Sequence, residues 1–268
     1  MLTGVSTASL FMRKNNEDAL PLLQGLGVKT AEVFLTSFSE YEPAFAELLN
    51  SRKGDLNVHS VHILNTQFEP QLFGSHPRVK ADAFALLNKV LRCANILGAP
   101  YYTFHGTARV KRASRSGKRD NFPAMLRAFQ EISNTCQSHG VTLCLENVEW
   151  ATYNREGVFQ IIAKEVPDLK GVLDIKQARI SGVPYEKYLL EMNDRLAYVH
   201  LSDIDNQGKM CLPGRGVFDF DTLILQLKDI GFNGDLLIEV YADDYREEIE
   251  LKHACDFLNE RLYKYNAL

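Results

Sequence analysis

With 268 residues, 46% of them hydrophobic and 24% charged, the chain is long enough to bury a sizeable core, and its net charge of -4 disfavours a surface built to wrap a polyanion. The start, MLTGVSTASLFMRKNNED, lacks a basic stretch followed by an apolar one, and no later run reaches the roughly 18 apolar residues of a membrane span, so a cytoplasmic chain with no membrane contact is expected. Five scattered cysteines (Cys93, Cys136, Cys144, Cys211 and Cys255) form no CxxC pair and read as reduced thiols filling the core. From the first residues onward, short runs rich in Val, Leu, Tyr and Phe alternate with longer segments of helical period. Strands are predicted at 2–6, 30–35, 56–62, 101–105, 141–146, 169–174, 196–202 and 235–240. Between the fourth and fifth, residues 123–139 place Met125, Phe129, Ile132 and Cys136 on one stripe, with Gly140 behind them as a stop. The last helix does the same with Leu251, Ala254, Leu258 and Leu262. No linker or low-complexity tract interrupts the series, so one domain over residues 1–268 is expected.

Eight strand–helix pairs in about 250 residues is the arithmetic of a (β/α)8 TIM barrel. An open doubly wound sheet is the weaker alternative, because no GxGxxG follows the first strand. A barrel concentrates its chemistry where strands end, and six of the eight predicted strands end within about one residue of a possible ligand or acid/base group: His62, His105, Glu146, Asp174, His200 and Glu239. The stretch VTLCLENVEW at 141–150 shows why this matters. An apolar alternation ends on the charge of Glu146, which is costly to bury unless something cationic meets it. Glu146, Asp174, His200 and Glu239 come from four consecutive strands and can close around one divalent cation. Three carboxylates with one imidazole suit Mn²⁺ or Mg²⁺ and leave Zn²⁺ and Co²⁺ open. Asn147 and Asp203 would orient these neighbours.

The runs FHG at 104–106, LENVEW at 145–150, VLDIKQ at 172–177, HLSD at 200–203, LPGRGVFDF at 212–220 and LIEVY at 237–241 resemble, in order, the xylose isomerase-like barrels. That superfamily holds sugar and sugar-phosphate isomerases, ketose 3-epimerases, cyclitol and dehydroshikimate dehydratases, and endonuclease IV. The resemblance implies that Glu146, Asp174, His200 and Glu239 are the ligands of the shared metal and that His62 and His105 line the pocket. Gln177 stands where the epimerases and endonuclease IV carry the histidine of Asp-x-x-His, which weakens a strict epimerase assignment. GKMCLPGRG at 208–216 lacks the Asp-x-His pair of endonuclease IV, so a three-metal cluster is not expected, and Lys209 is the nearest cation where an arginine is usual.

The expectation is a divalent-metal-dependent isomerase or epimerase of a sugar, sugar phosphate or related polyhydroxy compound. Glu146 and Glu239 would move the proton through an enediolate. A cyclitol- or dehydroshikimate-type dehydratase is the first alternative. An endonuclease IV-like repair nuclease is the second, disfavoured by charge and missing ligands; a barrel that binds without turnover is the least favoured. The partner is a small molecule and no nucleic acid; the sequence leaves a homo-oligomer open. Trp150 either stacks on a sugar face or packs the loop, and Arg215, inside the PGRG turn, is placed to reach an anionic group. His59 is out of phase with His62 and is expected to face the helices, while His76, His139 and His253 read as surface or helix residues. The stretch ARVKRASRSGKRDNF at 108–122 carries Arg109, Lys111, Arg112, Arg115, Lys118 and Arg119 against a single acid. It reads either as a solvated connector or as a lid in which Arg109 and Arg112 grip a phosphate or carboxylate, which would make the substrate anionic.

Overall fold

A computed structural model describes residues 1–64, 67–107 and 122–267. The basic residues Arg109, Lys111, Arg112, Arg115, Lys118 and Arg119 lie outside the described residues. The barrel strands are β1 (Thr3–Ser6), β2 (Thr30–Leu35), β3 (Asn57–Ile63), β4 (Tyr101–Phe104), β5 (Thr142–Glu146), β6 (Lys170–Asp174), β7 (Leu196–Leu201) and β10 (Leu236–Ile238). They pair in parallel and close in the order β1-β10-β7-β6-β5-β4-β3-β2. A short hairpin, β8 (Asp203–Ile204) with β9 (Met210–Cys211), stands on the loop after β7.

Helices α1 (Asn16–Gly25), α2 (Pro43–Arg52), α3 (Pro77–Leu97), α4 (Phe122–Ser138), α5 (Val158–Glu165), α6 (Ile175–Ile180), α7 (Tyr185–Met192), α8 (Phe220–Asp229) and α9 (Ile249–Lys264) fill the connections. The observed α4 and α9 bury the predicted stripes, Phe129, Ile132 and Cys136 on one, Leu251, Ala254, Leu258 and Leu262 on the other. Gly140 follows α4 with φ 67°, the left-handed geometry that ends a helix at low cost in glycine. The apolar core lies between helices and strands, and no described helix is long and apolar enough to cross a membrane.

Two details of the barrel wall set the geometry inside it. At Gly4 a Cβ would lie 2.1 Å from the Thr30 carbonyl oxygen, so only glycine lets β1 approach β2 there. Between β2 and β3 the register slips: Ala31 faces Val58 but Glu32 faces Ser60, leaving His59 as an extra residue. This bulge corrects the expectation that strict alternation turns His59 toward the helices. His59 packs instead against the rings of Tyr101 (5.1 Å) and Tyr198 (4.7 Å), with Nε2 3.9 Å from Asp235 Oδ2. His76 and His253 are exposed, and His139 Nε2 lies 2.8 Å from Asn88 Oδ1. None of the five cysteines is in a disulfide.

Candidate active site

The six strand-end residues meet at the carboxyl end of the barrel. His62, His105, Glu146, Asp174 and His200 are buried. Ligand atoms of Glu146, Asp174, His200 and Glu239 all lie within 4.8 Å of one another, and those of His62, His105 and Glu146 do likewise, so Glu146 belongs to both groups. Local structure aims each side chain. Asp174 ends β6 and caps α6: its Oδ1 accepts from the Gln177 N–H at 2.9 Å, while Oδ2 faces Lys176 Nζ at 3.8 Å. Asn147 holds the Asp174 backbone from both sides, its Nδ2 donating to the Asp174 carbonyl and its Oδ1 accepting from the Asp174 N–H, each at 2.8 Å. Asn147, expected to orient its neighbours, thus clamps the backbone of Asp174 with two bonds.

His200 sits at the centre. Its Nδ1 bonds Glu146 Oε1 at 2.9 Å and lies 2.6 Å from Glu239 Oε2, an ion-pair contact without hydrogen-bond alignment, so that among the described residues the buried Glu239 Oε2 has no aligned donor. On the other side, Nε2 approaches Glu32 Oε1 at 3.2 Å, an ion-pair distance without hydrogen-bond alignment. Burial alone would depress the His200 pKa, yet the carboxylates of Glu239 and Glu32 outweigh it and hold the ring well above its usual value. Burial also acts against Glu32, but His200 holds it down at about 2. Burial pushes Asp174 up to about 7, with Glu146 and Glu239 adding to the rise and Lys176 opposing it. Three carboxylates therefore crowd one imidazole with too little positive charge among them. This donor set and the orphaned Glu239 oxygen fit a divalent cation.

The neighbouring histidines are held differently. His105 Nε2 is 3.3 Å from the second oxygen of Glu146, and its Nδ1 is 3.2 Å from Glu69 Oε2, which also accepts the His105 backbone N–H. Tyr102 donates to the other Glu69 oxygen at 2.7 Å. Burial opposes charge on His105, but the bond to Glu69 and the nearby Glu146 raise its pKa. His62 rests between Phe34 and His105, with a buried Nδ1 that has no hydrogen-bond partner among the described residues.

His62, His105, Glu146, Asp174 and Glu239 line a cavity of about 200 Å³ together with Trp150, Gln177, Lys176 and Tyr241. Trp150 is half-exposed, its ring 5.2 Å from that of His105, and Gln177 Oε1 accepts from the Glu149 N–H at 3.4 Å. A larger cavity of about 760 Å³ lies beside it over α1, shares Phe34, and holds none of the six strand-end residues. Two expected contributors lie elsewhere. Arg215 is mostly exposed and stands 3.7 Å from Glu250, and Asp203 turns to the loop: its carboxylate accepts from the N–H groups of Ile204, Gly214, Gly216 and Phe218. Sequence reasoning missed Glu32, Glu69 and Lys176. Of these only Lys176 carried a visible signal, a lysine two residues beyond a strand-end aspartate.

Residues 20–261 match the xylose isomerase-like TIM barrel family. Among solved structures, the chain is similar to a D-psicose 3-epimerase from Clostridium cellulolyticum H10, solved with D-tagatose (TM-score 0.79, 18% identity, 98% of this chain and 99% of that one). It is also similar to a D-tagatose 3-epimerase-like protein (TM-score 0.78, 16% identity, 99% and 98%). A probable 3-DHS dehydratase from Bacillus anthracis aligns with TM-score 0.73 and 14% identity over 97% and 99% of the two chains.

Proposed function

This chain belongs to the xylose isomerase-like TIM barrel family, and on that footing we propose that it is a divalent-metal-dependent isomerase or epimerase of a small polyhydroxy carbonyl compound. The observation that carries the reading is the convergence of Glu146, Asp174, His200 and Glu239 on one point at the barrel mouth. Mn²⁺, Mg²⁺, Co²⁺ and Zn²⁺ all suit three carboxylates and one imidazole. A bound ion would polarise a carbonyl and its adjacent hydroxyl, acidifying the carbon–hydrogen bond between them.

The chain supplies the proton chemistry. Glu146 ends β5 and Glu239 directly follows β10, the outer members of the run β5-β6-β7-β10, which lets them reach a substrate from two sides. A carboxylate on each side can remove a proton and return it to the other face or to the neighbouring carbon. His105, anchored by Glu69, holds the second oxygen of Glu146 and fixes the direction in which that carboxylate reaches. Trp150 offers a ring face to the sugar. Loss of a β-hydroxyl after the same proton removal would give the dehydratase outcome, with the same residues in the same roles.

Solvent exchange tests the reading. With Mn²⁺ and a panel of keto-sugars in D₂O, deuterium should enter substrate carbon with the parent protein and not with Glu146→Gln; equal incorporation by both would assign the base elsewhere. Elemental analysis checks the ligand set. Metal content should fall in both His200→Ala and Glu239→Gln, and unchanged content in the two would overturn the assignment.

A further inference from the structure

Lys176 lines two cavities at once. One is the mouth cavity with Asp174, Glu239 and Tyr241; the other is a cleft of about 350 Å³ bounded by α6, the start of α7 and the β8/β9 hairpin. The side chain is only 4% exposed. A buried ammonium is costly unless its three N–H donors are met, and here they are not. Its ion-pair partner Asp174 Oδ2 is 3.8 Å away, beyond hydrogen-bond reach, and the ammonium also lies over the face of Tyr241 at 4.6 Å. Among the described residues nothing accepts a hydrogen bond from it.

Two further donors line the cleft. Ser202 is 2% exposed, and among the described residues its Oγ has no hydrogen-bond partner. Arg179, at the rim, has no carboxylate partner among the described residues. The acids of the lining do not answer them. Asp203 is taken up by four backbone N–H groups, and Glu186 is exposed. The remaining wall, including Ile175, Val183, Tyr185, Met210 and Phe218, is largely apolar, which strengthens any charge pairing at its inner end.

We infer that this cleft binds the anionic end of the substrate, a carboxylate or a phosphate ester on a polyhydroxy chain, with Lys176 and Ser202 on its inner wall and Arg179 at its rim. The inference rests on the reading of the mouth cavity as the site of a polyhydroxy substrate, and it adds that the substrate is an acid. Lys176 lines both cavities, so its ammonium can face the charge of a substrate whose carbonyl end lies at the carboxylate cluster, with Ser202 and Arg179 further along the cleft. A phosphate or carboxylate supplies several acceptor oxygens to donors that have none among the described residues.

Calorimetric binding to Mn²⁺-loaded protein separates the possibilities, using D-fructose, its 1- and 6-phosphates and 2-keto-D-gluconate as probes. At least one anionic probe should bind about tenfold or more tightly than D-fructose, as a charge-assisted contact implies; which one identifies the phosphate or the carboxylate. Lys176→Met should erase most of that preference, and Arg179→Ala should reduce it less, with an effect that shrinks as salt rises. Equal binding of neutral and anionic probes by the parent, or no binding of any anion to protein that holds Mn²⁺, overturns the inference and leaves the metal reading standing. So does a preference retained in Lys176→Met. Should that variant not fold, an undiminished preference in both Arg179→Ala and Ser202→Ala overturns it equally. Failure of the parent to bind Mn²⁺ at all would instead overturn the reading beneath it.

Discussion

A carboxylate buried in the middle of a barrel strand needs several donors to stay charged, and Glu32 has them. Ser6 Oγ donates to one oxygen at 2.9 Å, Ser60 Oγ to the other at 2.8 Å, Thr103 Oγ1 adds a short bond, and His200 Nε2 stands 3.2 Å away. Thr103 is bonded in turn to the Tyr198 hydroxyl, so a polar layer lies under the site where barrels usually stack branched aliphatics. With one ring nitrogen facing Glu32, the other is left to Glu146 and Glu239. Carboxylates behind a ligating histidine typically contribute roughly 10–100-fold to metal affinity. Glu32→Ala should therefore weaken Mn²⁺ binding by about that factor in equilibrium dialysis, and Glu32→Gln, which keeps an acceptor, by less. Parent-like affinity in a folded Glu32→Ala protein would mean that His200 holds its orientation by packing alone. Residues at strand ends were legible in the sequence because a charge closing an apolar run stands out. Glu32, inside TAEVFL, was not: an alternating strand read alone does not say which face meets a polar layer.

At the scale of elements, all eight barrel strands fall within a few residues of their predicted positions, because parallel strands buried on both faces are written as near-continuous apolar runs. The pattern was silent about departures from the period. The bulge at His59 depends on how β3 pairs with β2, and the hairpin of β8 and β9 has strands too short to register as a pattern. Asp203 begins that hairpin and is what organises it. Four backbone donors from 204–218 converge on one carboxylate, and at Gly216 a Cβ would lie 2.2 Å from the Ile204 carbonyl oxygen. Removing the acceptor leaves partly buried N–H groups unmet, so Asp203→Ala should cost about 3 kcal/mol, with no simple sum over the four bonds. Gly216→Ala should also destabilise the loop. Thermal melts and limited proteolysis together read this: both variants should melt lower and be cut first within 204–218. Cleavage elsewhere with an unchanged melting temperature would show that the loop is held by its apolar contacts.

The molecule as a whole depends on one seam, where residues more than two hundred positions apart in sequence close the barrel. The ladder there is short, three paired positions between β1 and β10, and the turn after β1 reinforces it. Ser9 Oγ donates to the Ile238 carbonyl and accepts from the Val240 N–H, each at 3.2 Å, and Tyr245 donates to the Ser9 carbonyl at 2.7 Å. Arg13 then ties the chain beyond β10: Nε donates to the Ala242 carbonyl and Nη1 to that of Arg246, both at 2.9 Å, Nη2 reaches Ala242 and Tyr245, and the guanidinium lies 4.0 Å over the Tyr245 ring. Glu239 sits between these anchors, so the seam that closes the fold also positions a carboxylate of the site. Hydrogen bonds from a charged donor contribute about 1.5–3 kcal/mol each where shielded and less toward solvent, so Arg13→Ala should cost about 2 kcal/mol. At roughly 2–4 °C per kcal/mol for a chain of this size, the melting temperature should fall by about 4–8 °C. Mn²⁺ affinity should fall with it, through Glu239. Arg52→Ala is the matched control, because its pair with Asp18 at 3.3 Å is exposed on both sides and should contribute under about 1 kcal/mol. If the two variants melt together and bind Mn²⁺ alike, the strand ladder closes the barrel unaided, and the Arg13 contacts follow from closure without enforcing it.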